Sequence, residues 1–366
     1  MGTNYLQALA NIKFEVDCCQ IVLTQEGEID NPRIYKGPGT IIQKDENSFS
    51  VKIFCEGKLD IKEVFGKINR LTPGKIIERP NYYSLEASDY AGNTWTASSI
   101  MPDTNGGMDC DGFLVSGNFT RLFCHRKEQH EYKGTTLKLF YKGKYKIPCN
   151  TITKSKHIIG NEDRGTSSKF NVAQFEIENI EFEILSDEDR LIVYLYSQSE
   201  NLTKVTAQRI HEALQFVLVN LEPWDILLIQ KNNVQETTFR AVPMSSRKSR
   251  VQPPLHFDSV DREGYVWKMF ELFLKYSLPY QEQDWHPLYE QVHKVIESGK
   301  ASIEAYALTL AVSIEGLLKL CFSEVALPDD EFKNKIKEAT DEINNSTIDS
   351  NLKKRLQGVL GAMNFF

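Results

Sequence analysis

The chain has 366 residues, a length that predicts two or three domains, each large enough to bury its own core. Hydrophobic residues make up 41% of it and charged residues 25%, which is ordinary for a soluble globular protein. The net charge of −7 argues against a nucleic-acid footprint over the whole protein, although a local basic patch stays compatible with one.

The sequence gives no sign of export or of a membrane anchor. The N-terminus lacks a basic region followed by an apolar core, which a signal peptide requires. The most apolar stretch, 301–322, carries Glu304, Glu315 and Lys319, which a lipid-exposed helix would not tolerate. Seven cysteines with no paired spacing beyond one adjacent pair indicate reduced thiols. We therefore predict a soluble, cytoplasmic protein with no membrane partner.

The first part of the chain carries short alternating runs that are typical of strands. Residues 49–53 alternate apolar and polar side chains, and Gly37-Pro38-Gly39 marks a break before them. Gly92-Asn93 lies between two further runs and indicates a hairpin turn. Residues 1–200 are predicted to form a sandwich- or barrel-like β-rich region, either as one domain or as two sub-units that divide near residue 150.

Two more hairpins are expected in the second half of this region. The first pairs 137–141 with 145–147. The second pairs 175–184 with 191–196, and its first strand shifts alternation at Glu178-Asn179, where we place a β-bulge.

An amphipathic helix follows, predicted over 203–220 with Thr203 as its N-cap. Strands are expected again at 225–230 and 236–242. Residues 201–242 therefore complete the front half as one helix plus strands.

A polar, Pro-bounded stretch at 243–255 predicts a linker. Its basic cluster, Arg247, Lys248 and Arg250, has two interpretations. These side chains are candidate nucleic-acid-binding residues, since positive charge attracts a phosphate backbone. They also fit a solvated linker, because no aromatic residue is interleaved to stack on a base.

Everything after the linker has helical spacing, and residues 256–366 are predicted to form an all-α bundle. The expected helices are 263–277, 287–298, 302–323, 329–344 and 348–364. The fold class is therefore α+β and multidomain, with a β-rich region before a helical bundle.

The predicted helix over 302–322 is apolar on two adjoining stripes. The charged helix over 329–344 has few large apolar residues to cover the second stripe, so a homodimer through the helical region is expected. The alternative is that helix 263–277 covers this stripe within one chain. Glu315, which interrupts the stripe, either pairs with Lys319 one turn later or is a carboxylate inside the bundle that supports a base or cation.

Metal and cofactor motifs are incomplete. Asp109-x-Asp111-Gly112 resembles part of a calcium loop, but Asn118 stands where the bidentate Glu belongs. Cys124-His125 and His130 lack the close ligand pairs of a structural zinc site. We predict no metal and no cofactor.

Residues 305–319 resemble the opening helix of HEPN-type bundles, and His211 to Phe216 resembles a helix near the end of the front half of ApeA-type bacterial proteins. The domain order is also similar, since ApeA-type proteins place a β-rich region before such a bundle. The resemblance implies a metal-independent ribonuclease whose signature is Arg, four to six residues, then His on a later helix.

That signature is not found in this chain. Arg250 and His256 have the spacing, but Pro253-Pro254 between them excludes a helix, and no histidine follows Arg355. Either the sequence stops before the motif or this member has lost it; the two aromatic residues at the end of the chain favour the first. We predict no ribonuclease activity for this chain.

The resemblance implies a bacterial anti-phage or stress-response sensor and effector, with RNA or a phage protein as partner. The alternative is a non-enzymatic scaffold, whose bundle dimerises and whose β-region binds a peptide, glycan or protein. A third reading is a β-sandwich enzyme with a site near Asp109 and Asp111.

Overall fold

The computed structural model describes residues 8–9, 11–27, 30–58, 79–106, 111–159, 162–187, 189–199, 202–242, 248–256, 264–282, 285–321, 330–346, 349 and 352–356. The fold is α+β. The chain forms two compact units: Met1–Arg247 with Gln252–Asp284, and Lys248–Val251 with Trp285–Phe366.

The first unit begins with a closed, six-stranded antiparallel barrel. Its strands are β1 (Glu15–Gln25), β2 (Ile34–Gln43), β3 (Phe49–Cys55), β4 (Tyr83–Asp89), β5 (Thr94–Asn105) and β6 (Phe113–Phe119). They run in the order β1-β2-β3-β6-β5-β4, and β4 pairs back to β1 to close the ring. Closure removes the free sheet edges that an open sheet of this size would present. The barrel-like prediction is confirmed.

The barrel interior is filled by the apolar side of each strand. Val51 and Ile53 are fully buried there, and Phe14, Trp95 and Phe239 pack with their rings 5.2–6.0 Å apart. The predicted break at Gly37-Pro38-Gly39 is wrong, since these residues lie inside β2. A Cβ on Gly39 would lie 2.0 Å from the Lys52 carbonyl oxygen. Glycine at this position therefore allows β2 and β3 to approach each other closely.

A second set of antiparallel strands extends from the barrel. It comprises β7 (Arg121–Lys142), β8 (Thr151–Ile159), β9 (Glu162–Ile177), β10 (Ile180–Ser186), β11 (Arg190–Ser197) and β12 (Ile226–Arg240). The order is β12-β7-β11-β10-β9-β8, and the start of β7 pairs with β5 of the barrel. β7 therefore belongs to both halves of the first unit.

Three strand predictions in this region need correction. The hairpin pairing 137–141 with 145–147 is wrong, because this part of β7 pairs with β11 and β12. The bulge at Glu178-Asn179 is instead a two-residue turn between β9 and β10, where both residues have positive φ. The strands expected at 225–230 and 236–242 are one continuous strand, β12.

Two long helices also belong to the described part of the first unit. α1 (Lys204–Leu218) has the predicted cap, with the Thr203 side chain accepting from the Thr206 N–H. α2 (Tyr265–Ser277) packs on the second sheet: the Trp267 indole donates to the Pro148 carbonyl at 2.8 Å. The Phe270 ring meets Phe182 edge-on at 5.8 Å. Among the described residues, no helix of either unit is long and apolar enough to cross a membrane.

The second unit contains α3 (Pro287–Ser298), α4 (Ile303–Cys321) and α5 (Asp330–Asn345), and residues 352–356 are also helical. α3 and α4 pack on each other, with the Gln291 side chain against Gly316. The rest of the helix predicted over 348–364 lies largely outside the described residues. Ser249 anchors the short Lys248–Val251 segment, since its hydroxyl donates to the Ile296 carbonyl at 2.7 Å.

Candidate functional site

The paired strands β7 and β12 form a ribbon with two different faces. Leu122, Cys124 and Phe239 are buried in the barrel core on one face. Because side chains alternate along a strand, Arg121 and Arg240 lie on the other. The ribbon therefore carries positive charge directly behind the apolar core.

Arg121 and Arg240 are opposite each other in the antiparallel register. Like charges at directly opposed positions destabilise a sheet. Among the described residues, neither arginine has a carboxylate within ion-pair distance. The nearby carboxylate of Asp225 is engaged elsewhere, since its Oδ2 lies 2.8 Å from Arg190 Nη1. The pair thus remains an uncompensated concentration of positive charge.

The Arg240 guanidinium stacks on the Trp224 indole, with its central carbon 3.3 Å from the ring centroid. Burial, followed by the neighbouring charge of Arg121, lowers the pKa of Arg240 to about 9. Trp224 is only 3% exposed, and in the described part of the chain its Nε1 and the Nε of Arg240 have no hydrogen-bond acceptor. Two buried N–H donors, Trp224 Nε1 and Arg240 Nε, therefore lie at the guanidinium charge of Arg240.

A cavity of about 300 Å³ opens between this face of the ribbon and the first turns of α1. We call it the two-arginine cavity. Its walls are Arg121, Phe123, Lys204, Val205, Gln208, Trp224, Leu227, Thr238 and Arg240. Three of these side chains are cationic and none is acidic. The N-terminal end of a helix adds a further partial positive charge.

The wall residues suit binding better than catalysis. The cavity offers guanidinium, ammonium, amide, indole and hydroxyl groups, all of which donate hydrogen bonds. Among its described wall residues there is no histidine, cysteine or carboxylate that would act as a general base or activated nucleophile. The arrangement therefore has the charge and the hydrogen-bond donors that suit an anion.

Glu315, predicted as a support residue, is exposed on α4, and its Oε1 lies 2.7 Å from Lys319 Nζ. Arg247 lies outside the described residues. Lys248 and Arg250 are exposed in the second unit, and the Arg250 N–H donates to the Gly299 carbonyl at 3.1 Å. None of these residues belongs to the two-arginine cavity.

The residues considered for metal binding do not assemble either. Asp109 lies outside the described residues, and Asp111 is exposed. Burial raises the pKa of the Cys124 thiol to about 12, with help from Asp89, so this sulfur is a neutral core group. No group of three potential metal ligands occurs in the described part of the chain.

The sequence analysis does not identify the residues of the two-arginine cavity. Arg121 and Arg240 are far apart in sequence, and only the β7–β12 register makes them neighbours. The usable signal was Trp224, a large aromatic residue between a helix and a strand. Comparisons of the chain with protein-family models, with curated proteins and with solved structures found no match.

Proposed function

We propose that the protein is a sensor whose first unit recognises a phosphate-class anion in the two-arginine cavity. The supporting observation is that three cationic side chains and no carboxylate line a cavity of about 300 Å³. A phosphate group accepts several hydrogen bonds and carries up to two negative charges near neutral pH. Such a dianion would offset the repulsion between Arg121 and Arg240.

Inorganic pyrophosphate is the probe that tests this proposal. Calorimetric titration of the full chain should show binding that Arg240→Gln reduces at least tenfold, because the variant keeps a donor but loses the charge. Arg79→Gln is the matched control, since Arg79 is an exposed arginine outside the cavity. Equal binding by wild type and Arg240→Gln would reject the cavity as the site.

The second unit, in this proposal, is a HEPN-like bundle that self-associates and responds to the sensor. The support is the resemblance of residues 305–319 together with the surface of α4. Leu308 is 69% exposed and Val312 57%, although α3 packs on another side of the same helix. Exposed apolar area of this kind favours association with a second copy.

Light scattering across a concentration series tests self-association. A mass that rises to two chains, and a Leu308→Lys variant that stays folded at one chain, are the expected results. A mass of one chain at every concentration would contradict the dimer.

Bacterial anti-phage or stress-response signalling is the biological setting that the ApeA resemblance suggests. RNA cleavage is not part of the proposal for this chain, because a His for proton transfer and an Arg for phosphate charge would be needed on one helix. A scaffold role is the alternative. Protection of a bacterial host from phage by the wild type, but not by Arg240→Gln, favours the sensor; equal protection favours the scaffold.

A further inference from the structure

The two-arginine cavity is one end of a longer depression, which we call the ribbon groove. A neighbouring cleft of about 600 Å³ shares Lys204 and Val205 with the cavity. A third cleft of about 830 Å³ shares Val234 with the second and reaches the β4–β5 turn at residues 91–94. The shared wall residues place the three clefts side by side along one face of the first unit.

The floor of the ribbon groove follows from the strand register. Four consecutive cross-strand pairs on the same face of β7 and β12 line it: Arg121 with Arg240, Phe123 with Thr238, His125 with Glu236, and Lys127 with Val234. The six residue-to-residue steps from Val234 to Arg240, at about 3.3 Å each, give the floor a length of roughly 20 Å. The groove is therefore far longer than one phosphate group.

The charge in the groove is opposite to that of the whole protein. Of the residues that the structure describes, six lysine and arginine side chains and two carboxylates line the three clefts, while the whole chain has a net charge of −7. One carboxylate, Glu236, lies between Lys204 at 3.4 Å and His125 at 3.9 Å. The other, Glu128, lies with its Oε1 3.3 Å from Arg126 Nε. The excess of positive charge is thus concentrated at Arg121 and Arg240 of the two-arginine cavity and continues to Lys127 at the far end.

We propose that the ribbon groove binds a single-stranded nucleic acid whose terminal phosphate occupies the two-arginine cavity. This inference rests on the proposed anion recognition and adds the class of ligand. A terminal phosphate monoester is largely a dianion at neutral pH, whereas each internal phosphodiester carries one charge. The distribution of cations, densest at one end and extended along a groove, matches that ligand.

Phe123 gives the groove an aromatic side chain between its two basic ends. Its ring has Lys204 Nζ 4.8 Å from the centroid, so it presents an aromatic and cationic surface together. Proteins that bind single strands combine such rings with a positively charged groove. At 3.4 Å per stacked nucleotide, 20 Å accommodates about six nucleotides, and fewer in an extended strand.

Fluorescence anisotropy of the full chain with labelled hexanucleotides tests the inference. RNA and DNA hexamers with a 5′-phosphate, a 3′-phosphate or no terminal phosphate form the probe set. One terminally phosphorylated hexamer should bind at least tenfold more tightly than the unphosphorylated one, and Arg240→Gln should remove this difference. Lys127→Gln should weaken both hexamers equally, because it acts at the far end of the groove.

The outcomes separate this inference from the proposed function. If a phosphorylated mononucleotide binds as tightly as the hexamer, the groove is not used, although the anion site stands. If an acidic hexapeptide competes as well as the hexamer, the assignment to nucleic acid is wrong. If pyrophosphate binds and no hexamer does, the inference about the groove is wrong but the anion site stands. If pyrophosphate does not bind either, the proposed anion site is also wrong. Circular dichroism of each variant confirms that it is folded.

Discussion

Arg240 is partly buried with its guanidinium on the face of Trp224, and partial desolvation of a charged group is costly unless something compensates it. Its cross-strand neighbour Arg121 adds repulsion. We expect Arg240→Gln to raise the free energy of unfolding of the ligand-free protein by roughly 0.5–1 kcal/mol at pH 7. Urea unfolding measures this, with Arg79→Gln as control. A loss of stability in the variant would show that the charge is already compensated.

The charge of Arg240 also determines how anion binding depends on pH. The pKa of Arg240 is lowered from 12.5 to about 9, so its folded-state charge is present below pH 9 and is lost above it. The unfolded state keeps its proton up to higher pH, and the destabilising charge is therefore relieved as pH rises above 9. Sulfate, a dianion throughout, should stabilise the wild type at pH 7.5 and much less at pH 10. Thermal melts measure the difference, and an unchanged sulfate effect would contradict it.

Asp89 shows the opposite case, a buried carboxylate with a complete set of donors. It accepts hydrogen bonds of 2.7–2.9 Å from the Ala91 and Asn93 N–H groups, the Asn93 side chain and the Trp95 indole. Burial pushes its pKa upward, but these bonds outweigh burial, so the pKa of Asp89 is lowered below 3.8. This stabilisation is complete well above pH 4 and is lost as pH falls through the lowered pKa.

The Asp89→Asn variant should therefore lose about 1–3 kcal/mol of unfolding free energy at pH 7, because an amide replaces one acceptor oxygen with a donor. The loss should shrink as pH falls through the lowered pKa of Asp89, because the wild-type carboxyl then also becomes protonated. Urea midpoints measured in steps downward from pH 7 test this. A deficit that is independent of pH would point to packing as the cause.

Helix α1 contains an ion pair with both side chains fully buried, Arg209 with Glu212. Gln208 Nε2 donates to the same carboxylate at 3.2 Å, and Arg209 Nη2 donates to the Glu282 carbonyl at 2.9 Å. The pair thus ties α1 to the chain that follows α2. Breaking such a pair leaves one buried charge, whereas replacing both residues with apolar ones removes the desolvation cost together with the attraction.

We predict that Arg209→Met alone costs about 3–5 kcal/mol of unfolding free energy. The double variant Arg209→Met with Glu212→Leu should recover part of that loss. Urea unfolding of both variants and of Glu212→Leu gives the coupling energy. If the double variant loses more unfolding free energy than the two single variants lose together, the pair does not act through charge.

The turn between β9 and β10 shows where sequence interpretation fails. Glu178 has φ 48° and Asn179 φ 64°, the geometry of a tight two-residue hairpin, but glutamate is an unusual residue there. In the sequence, the shift in alternation at this turn therefore has the pattern of a bulge. The pair Glu178→Asn with Asn179→Gly should stabilise the protein by about 0.5–1 kcal/mol, measured as a rise in the urea midpoint. Destabilisation would show that the Glu178 side chain has a structural role.

Elements that depend on neighbouring residues were predicted well, whereas features that depend on strand pairing were not. The Gly92-Asn93 hairpin, the Thr203 cap of α1 and the helix Pro287–Ser298 depend on neighbouring residues, and all are confirmed. The barrel closure and the two-arginine cavity depend on which strands pair. A strand's own residues do not encode its partner, because alternation fixes only which face is buried. The sequence alone therefore could not place Arg121 opposite Arg240.

At the scale of the whole molecule, the boundary between the units is not a single point in the sequence. Lys248–Val251 belongs to the second unit, but Gln252–Asp284, which contains α2, returns to the first. The first unit needs that return, since Trp267, Phe270 and Leu274 are buried and Phe273 stacks on Phe216 of α1 at 4.8 Å. The helix therefore completes a core rather than starting the bundle.

We expect a fragment of residues 1–282 to fold and a fragment of residues 1–242 to fail. The shorter fragment lacks α2, and burying each large apolar side chain of that helix contributes about 1.5–3 kcal/mol, which together approaches the stability of a domain. The longer fragment should melt cooperatively and keep the pyrophosphate affinity of the full chain. The shorter one should bind the dye ANS or aggregate. Phe270→Ala in the full chain is the control, with an expected loss of about 3–5 kcal/mol. Equal melting temperatures for the two fragments would show that α2 is dispensable and that the first unit ends before residue 243.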